Sequence, residues 1–348
     1  MSSNKRILVA PLDWGLGHIS RCIPLIEKLL EKNHTVITCG NNESKQLFKE
    51  HFPKLQHVLI SGYNAKYSKR NNQALSMIIQ TPKFIYKIIN EKRIAQELAN
   101  KLNLDIIISD NRFGFRSTKT TNIFLSHQIH IQGPSILKPI LYKINSRFIN
   151  QFDNCWIPDF NETDSLSGEL SKNPGLKNYS FIGPLSRFKK PIETKTQKYK
   201  YLAILSGPEP QRTIFENIIL KEFSELNETC AIIGGKPGGK EFAKENINYY
   251  PHLKTGNFLE IVSHSEFIIC RSGYSNIMDL SVLNKRAILV PTPGQTEQEY
   301  LAKYHSKKSS INWVKQKEFN LKGINEFGKL TVPKMKPLLK KEFNKIGL

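Results

Sequence analysis

The feature that most constrains this chain of 348 residues is the alternation of short β-branched runs with helix-length amphipathic stretches. Five such runs lie in the first half, at residues 6–10, 35–39, 105–109, 122–126 and 155–158. Four more lie beyond residue 200, at 201–205, 230–233, 267–270 and 287–290. Strands that alternate with helices are typical of a parallel sheet covered by helices. The pattern therefore predicts an α/β protein with two successive parallel-sheet domains.

A polar stretch rich in Lys and Pro separates the two series of strands. We predict an N-terminal domain at residues 1–184, a linker at 185–200 and a C-terminal domain at 201–348. A chain of this length, with 39% hydrophobic residues, can bury two separate cores.

Composition limits the partners and the compartment. The formal net charge of +21 predicts attraction to nucleic acid, a membrane surface or a phosphorylated substrate. Residues 1–150 contribute +13 of it, from 22 Lys and Arg against 9 Asp and Glu. The five cysteines are scattered without a C-x-x-C spacing, which favours neither disulfides nor a zinc site. The apolar run at residues 7–12 is too short for a signal peptide or a membrane span, so we predict a cytoplasmic protein.

Residues 11–21 form a glycine-rich turn between the first strand and a predicted helix. At the carboxyl edge of a parallel sheet, Gly15 and Gly17 would let a ligand approach the backbone, and helix N–H groups favour anions. A dinucleotide site is disfavoured, because Ser20 replaces the third glycine of G-x-G-x-x-G and the second strand does not end in an acidic residue.

Three side chains near this edge are candidate bases. His18 starts the helix, where the helix dipole favours a neutral imidazole that can accept a proton. Asp13 and Asp110 follow strands and are the competing candidates. His127 and His130 follow another strand but have no acidic partner at ligand spacing, so we predict no metal site.

The second series of strands opens in the same way. Gly207 lies in a small-residue loop suited to phosphate, and Arg212 would supply charge there. Residues 234–240 are also glycine-rich, but Glu241 stands where G-x-x-x-x-G-K-[ST] requires a hydroxyl, so we interpret them as a flexible loop.

Residues 267–300 carry the most informative pattern: a strand, a Ser-Gly turn, a helix, a strand and a Pro/Gly loop before another helix. The turn offers backbone N–H groups and a hydroxyl to a diphosphate, while an acidic residue in the helix can accept hydrogen bonds from ribose hydroxyls. The predicted contacts are Arg271, Ser272, Gly273, Asp279, Gln295 and Gln298.

This stretch resembles the nucleotide-sugar-binding C-terminal domain of glycosyltransferase family 28, typified by the bacterial peptidoglycan N-acetylglucosaminyltransferase that makes lipid II. The shared features are the turn at residues 271–273, the acidic Asp279 and the loop and helix at 291–300. The first turn with His18 is similar to the family's N-terminal glycine-rich loop. The chain departs from the family at Pro293, where a glutamine is expected.

The resemblance implies two Rossmann-like domains facing a cleft, the GT-B fold, with a last helix that packs on the N-terminal domain. It implies a UDP-sugar or similar donor, and a hydroxyl acceptor that enters beside the loop of Gly15, Gly17 and Arg21. A hexose or N-acetylhexosamine would be transferred by direct displacement with inversion. The sequence has no D-x-D triplet, so we expect no metal or cofactor; helix N-termini, Arg212 and Arg271 would stabilise the leaving diphosphate.

Residues 66–93 contain seven basic residues and one acidic residue. Apolar side chains alternate there with Lys83, Lys87, Lys92 and Arg93. Helices of this kind lie on anionic bilayers, so we predict peripheral contact with the inner face of the membrane and a lipid-linked or glycan acceptor of the cell envelope. The alternative is a helix packed on the sheet with a solvated lysine face. The apolar residues are Leu75, Met77, Ile78, Ile79, Phe84, Ile85, Ile88 and Ile89.

Two other functions stay open. A nucleotide-sugar 2-epimerase or hydrolase also pairs two such domains around a UDP-sugar. A non-catalytic polyanion-binding protein would use the charge of +21. We expect no specific nucleic acid, because the sequence has no zinc-finger spacing, RNP-like motif or helix-turn-helix pattern.

Overall fold

The computed structural model describes residues 4–13, 15–62, 81–161, 165–188, 196–309, 311–324, 327–330 and 343. These residues form two compact units. The first contains the described residues up to Ser186 together with Phe343, and the second contains those from Arg187 to Leu330. Each unit is built on its own sheet.

The first unit has a seven-stranded sheet whose neighbouring strands all pair in parallel. The strands are β1 (Arg6–Pro11), β2 (Thr35–Gly40), β3 (Gln56–Leu59), β4 (Ile106–Asp110), β5 (Thr121–Leu125), β6 (Asn154–Ile157) and β7 (Tyr179–Phe181). Their spatial order is β3-β2-β1-β4-β5-β6-β7. The helices are α1 (Leu16–Glu31), α2 (Asn42–His51), α3 (Thr81–Lys101) and α4 (Lys138–Ile149).

The second unit has an eight-stranded mixed sheet in the order β10-β11-β9-β8-β12-β13-β14, with β15 beside β13. The strands are β8 (Tyr199–Ile204), β9 (Cys230–Ile233), β10 (Phe242–Lys244), β11 (Ile247–Tyr250), β12 (Ser265–Cys270), β13 (Arg286–Leu289), β14 (Asn312–Trp313) and β15 (Gly328–Lys329). The helices are α5 (Gln211–Ser224), α6 (Thr255–Ser263), α7 (Tyr274–Leu283) and α8 (Thr296–Lys308).

Burial explains why these segments form strands and helices. Every residue of β4 is buried, as expected for a central parallel strand covered on both faces. Helix α1 buries Ile19, Cys22, Ile23 and Ile26, which recur at the spacing of one helix face. Arg21 is buried with them, although it is charged. A buried arginine on an apolar helix face needs acceptors inside the protein, and these lie at the sheet edge described below.

The strand order places two crevices at carboxyl ends of strands. In the first sheet β1 lies between β2 and β4, and in the second β8 lies between β9 and β12, so successive connections leave to opposite sides. Open α/β sheets bind ligands at such switch points. The register pairs Pro11 with Asp110 in the first sheet, and Cys270 with both Ile204 and Leu289 in the second. The loops that follow these residues therefore meet at one edge of each sheet.

The prediction of two α/β units built on strand-helix alternation is confirmed, and all nine predicted strands are present within two residues of their predicted bounds. The second sheet corrects the expectation of a purely parallel one, because β10–β11 and β13–β15 are antiparallel pairs. Strand β8 begins at Tyr199, inside the predicted linker. Most of the predicted last helix lies outside the described residues, but the Phe343 ring lies 5.6 Å from that of Trp156 in the first unit.

Two further observations concern the sequence predictions. All five cysteines are free and buried. Within the described ranges, no helix combines the length and the apolar character needed to cross a bilayer. Residues Leu75, Met77, Ile78 and Ile79 of the basic segment lie outside the described ranges.

Candidate active site

The candidate site of the first unit lies at the turn between β1 and α1. Gly15 caps the helix at φ +95°, a backbone conformation that residues with a side chain rarely adopt. A Cβ at this position would meet no atom within 4 Å, so conformation rather than space selects glycine. Because α1 begins at Leu16, Gly17 and His18 lie in its first turn, where backbone N–H groups lack helical acceptors.

Asp110 ends β4 and is completely buried beside this turn. Arg21 donates from Nε to Asp110 Oδ2 over 2.8 Å, and its Nη2 contacts Oδ1 of the same carboxylate. Nδ1 of His18 lies 3.1 Å from Asp110 Oδ1. The two-pronged contact between a guanidinium and a carboxylate is a strong, direction-specific pair. Asp110 is thus joined to both side chains of α1.

The pKa values follow from these contacts. Burial raises the pKa of Asp110, but the charges of Arg21 and His18 and their hydrogen bonds outweigh burial and lower it to about 2. Asp110 is therefore a carboxylate at neutral pH. Burial and the charge of Arg21 lower the pKa of His18, although Asp110 acts in the opposite direction. His18 is therefore neutral at neutral pH and able to accept a proton.

His127 extends this group. It lies two residues beyond β5, the neighbour of β4, and its Nδ1 is 3.2 Å from Arg21 Nη1. The sequence indicated that His127 follows a strand at this edge of the sheet, but no sequence pattern predicted its contact with Arg21. His130 lies elsewhere: its Nε2 is 2.9 Å from the carbonyl oxygen of Lys172, and its ring stacks on Tyr142.

The three candidate bases differ in exposure. The side chain of His18 is 17% exposed, that of Asp13 is 5% exposed and that of Asp110 is fully buried. Asp13 lies 3.9 Å from Arg112 Nη1, and a Cβ on Gly62 would come within 1.9 Å of its Oδ2. His18 is the candidate that is both accessible and beside a carboxylate, so the geometry favours it.

The second unit has its own candidate site at the turn between β12 and α7, which Gly273 caps. The Ser272 hydroxyl donates to the backbone carbonyl of Gln298 over 2.7 Å. Gln298 Oε1 accepts from the backbone N–H of Thr292, and its Nε2 donates to Gln295 Oε1 over 2.6 Å. The predicted residues Ser272, Gly273, Gln295 and Gln298 are thus brought together. The hydroxyl proton of Ser272 is used within the protein, so the turn chiefly offers its backbone N–H groups.

Arg271 is buried beneath this turn, and its predicted part in binding the diphosphate stays a prediction. Its guanidinium lies 4.1 Å from the ring of Phe215 and donates only to neutral oxygens among the described residues. Burial lowers the pKa of Arg271 to about 9, so it remains a cation at neutral pH. Its acceptors are the carbonyls of Val290, Pro291 and Gln211 and the Oε1 atom of Gln316.

Arg212 differs from the prediction. Its guanidinium donates to Glu209 over 2.7 Å, to Glu216 over 2.5 Å and to the Gly234 carbonyl over 3.2 Å. Two carboxylates therefore compensate its charge, and it holds α5 to the end of β9 instead of projecting toward a phosphate. Gly207 adopts φ +104°, and a Cβ there would meet no atom within 4 Å.

Asp279 lies in α7 and borders a cavity of about 30 Å³. Its Oδ2 is 3.9 Å from Nε of Arg187, which the sequence analysis did not single out. The guanidinium of Arg187 packs 4.4 Å from the ring of Phe258. Asn276 also borders this cavity and donates to the carbonyl of Arg271. Among the residues described, no group of three His, Cys, Asp or Glu side chains is arranged to hold a metal ion.

Comparisons with known proteins agree with this architecture. Residues 211–342 match the glycosyltransferase family 28 C-terminal domain. Two relatives are named UDP-N-acetylglucosamine--N-acetylmuramyl-(pentapeptide) pyrophosphoryl-undecaprenol N-acetylglucosamine transferase. The one from Buchnera aphidicola is 24% identical over 316 residues, which cover 86% of this chain and 81% of the relative. The one from Histophilus somni is 23% identical over 347 residues, which cover 93% and 88%.

Solved structures show the same fold. The glycotransferase of kitacinnamycin superposes with a TM-score of 0.63 at 11% identity, covering 92% of this chain and 88% of that one. MurG from Acinetobacter baumannii superposes with a TM-score of 0.53 at 12% identity, covering 99% and 91%. The predicted fold and enzyme class are thereby confirmed. This chain is a glycosyltransferase of the GT-B fold whose residues 211–342 match the C-terminal domain of glycosyltransferase family 28.

Proposed function

We propose that this glycosyltransferase moves a hexose or N-acetylhexosamine from a UDP-sugar to the hydroxyl of a lipid-linked or glycan acceptor, with inversion and without a metal. The observation that carries the proposal is the partly exposed His18, whose Nδ1 lies 3.1 Å from the buried Asp110 carboxylate. The names of the two relatives support the sugar donor and the lipid-linked acceptor.

His18 acts as the general base. It accepts the proton of the acceptor hydroxyl while that oxygen attacks the anomeric carbon, and the bond from this carbon to the diphosphate breaks. UDP leaves, and the attack from the opposite side inverts the anomeric configuration. The imidazolium that forms is stabilised by Asp110, which is already a carboxylate.

The second unit supplies the donor site. The backbone N–H groups at the start of α7 attract the diphosphate, because the N-terminus of a helix carries a partial positive charge. Arg271 adds a buried cation below the same turn, so it acts through its electric field while its hydrogen bonds stay within the protein. Asp279 accepts hydrogen bonds from the ribose hydroxyls.

Contact with an anionic membrane would bring the enzyme to a lipid-linked acceptor. On α3, Ile85, Tyr86 and Ile89 are more than half exposed, and Lys92 and Arg93 are exposed on the same helix. An amphipathic basic helix of this kind binds anionic lipid surfaces. Sedimentation with vesicles of phosphatidylglycerol, compared with vesicles of phosphatidylcholine, tests this; equal binding to both would exclude an electrostatic membrane contact.

The donor is tested first, by calorimetry with UDP, GDP, dTDP and ADP and by turnover of the matching sugars in the presence of EDTA. We expect saturable binding of UDP, and transfer to a polyprenyl-diphosphate-linked sugar. Release of free sugar or an epimerised UDP-sugar without any acceptor would favour the epimerase or hydrolase alternative. Salt-sensitive polyanion binding without any nucleotide affinity would overturn the proposal.

A further inference from the structure

Arg21 is the unexplained charged group of the first unit. It is buried on the otherwise apolar face of α1, and its three nitrogens contact Asp110, His18 and His127. Burying a guanidinium costs free energy, and a lysine or a neutral residue would suffice for packing. The arrangement of its contacts therefore indicates that Arg21 influences the protonation of His18 and Asp110.

The geometry makes two arrangements of the His18 proton compete. Nδ1 of His18 is 3.1 Å from Asp110 Oδ1 and 2.8 Å from Arg21 Nη2. A guanidinium has only donors, so Nδ1 either donates its proton to Asp110 or accepts one from Arg21. Accepting from Arg21 requires a neutral ring, because an imidazolium has no lone pair at Nδ1, whereas the neutral ring and the imidazolium can both donate from Nδ1 to Asp110. A protonated ring would place two cations against one carboxylate in a buried site.

Without Arg21, the protonated form of His18 would be favoured over the neutral form. Asp110 alone beside His18 would favour the imidazolium, because an opposite charge at hydrogen-bond distance stabilises the charged form. A protonated His18 cannot accept a proton from an acceptor hydroxyl. With Arg21 present, the Asp110 carboxylate is already compensated, so Arg21, Asp110 and a neutral His18 together carry no net charge.

We propose that Arg21 is a positioning residue that keeps Asp110 a carboxylate and His18 a neutral base. The inference rests on the proposed role of His18. Nδ1 of His18 holds its proton toward Asp110, which leaves Nε2 as the nitrogen that receives the proton of the acceptor hydroxyl. Arg21 lies beneath the pair and touches neither substrate nor the reacting atoms.

Two other titratable groups, His127 and Cys22, lie near His18 and Asp110. His127 reaches Arg21 from the loop after β5, and its charge when protonated would add to that of Arg21 against a second cation. The thiol of Cys22, from the next position of α1, lies 3.8 Å from Asp110 Oδ2, and burial raises its pKa well above its usual range. Cys22 therefore stays neutral. Arg21 is the permanent charge in contact with both partners.

The test measures the protonation of His18 directly, by NMR of protein labelled at histidine, with the H18Q variant to assign the signal. In R21Q we expect the pKa of His18 to rise above its wild-type value, because the Asp110 carboxylate is then balanced by the imidazolium. R21K, which keeps a charge but cannot make the two-pronged contact, should give a smaller rise and serves if R21Q does not fold. An unchanged pKa of His18 in both variants overturns the inference.

The matched control is R112Q, which removes another buried arginine of the same unit, one held by Glu91. It should leave the pKa of His18 unchanged; a rise equal to that of R21Q would mean that any loss of a buried arginine suffices and would overturn the inference. The pH profile of kcat/KM gives a second readout, because its acidic limb should move upward in R21Q with the pKa of His18. Full turnover by H18A would show that His18 is not the general base. The NMR measurement would still test separately whether Arg21 lowers the pKa of His18.

Discussion

Arg21 in the first unit and Arg271 in the second are both buried at the carboxyl edge of a parallel sheet, but their partners differ. Arg21 contacts a carboxylate and two imidazoles, whereas the acceptors of Arg271 in the described residues are neutral oxygens. The first cation sets the protonation of side chains. The second fixes the backbone of two loops, and no carboxylate of the described residues accepts a hydrogen bond from it, which suits an anionic ligand.

In the proposed reaction, the two units have different tasks. Proton transfer needs side chains whose protonation states are matched, so the first unit groups a carboxylate, a base and a cation. Diphosphate binding needs rigid backbone N–H groups, so the second unit uses side chains such as Gln298 to fix loops. Each prediction below changes one side of this comparison.

The largest effect is expected for H18A. Loss of a positioned general base lowers rates by roughly 10²- to 10⁴-fold, so kcat should fall within that range while donor affinity stays near the wild-type value. The measurement is steady-state turnover together with calorimetric titration of UDP. H130A is the matched control, because His130 stacks on Tyr142 outside the Arg21 group and should keep kcat. Full activity of H18A would show that another residue is the base, and the role proposed here for the His18 site of the first unit would then be wrong.

R21Q and R271Q compare the two buried cations by stability. Breaking a buried ion pair by removing one partner costs about 3–5 kcal/mol, because the buried Asp110 carboxylate loses its permanent cation. Removing Arg271 leaves neutral carbonyls without donors, at about 1–3 kcal/mol for each group that water cannot reach. Because Arg271 has four acceptors, we expect R271Q to lose at least as much unfolding free energy as R21Q, measured by urea denaturation. An unfolding free energy of R271Q equal to that of the wild type would contradict the assignment of Arg271 to neutral scaffolding.

D279A should weaken donor binding without changing the first unit. Hydrogen bonds to a charged group contribute about 1.5–3 kcal/mol, so the Kd for UDP should rise by roughly 10- to 150-fold. Calorimetry of UDP measures this. The control is E266A, in which the carboxylate lost from the same unit pairs with Lys200 instead of bordering the cavity. Equal affinity in D279A and the wild type would exclude Asp279 from the donor site.

The sequence could predict the sheets, because their central strands are buried apolar runs such as β4 between glycine-rich or polar turns. It could not predict β10, whose three residues are all exposed, or β3, whose Gln56 and His57 interrupt an apolar pattern. Short edge strands carry little periodicity because only one side of them needs a partner. The strand order was also beyond the sequence, since it depends on which non-adjacent segments pair.

The candidate site was predictable only in part. His18 and Asp110 were both named, but as competing bases, because a separation of 92 residues hides their contact. Arg21 was assigned to the acceptor loop, and its guanidinium instead lies on Asp110. For Arg212 the sequence indicated a cation beside a small-residue loop, but it did not show that Glu216, one helical turn later, compensates that cation. Which donors of an arginine are already used depends on tertiary structure.

The smallest effect is a pH dependence of stability in the first unit. The pKa of His18 is lower in the folded protein than its usual value of 6.5, mainly because of burial. The unfolded chain therefore binds a proton at this position below about pH 6.5 that the folded protein resists, so the free energy of unfolding falls as the pH falls through that range. Urea denaturation between pH 7.5 and pH 5.5 measures the slope. H18Q should reduce this slope, because the histidine is gone. R21Q should also reduce it, because it raises the pKa of His18 in the folded protein. If neither variant changes the slope, the acid sensitivity comes from other histidines.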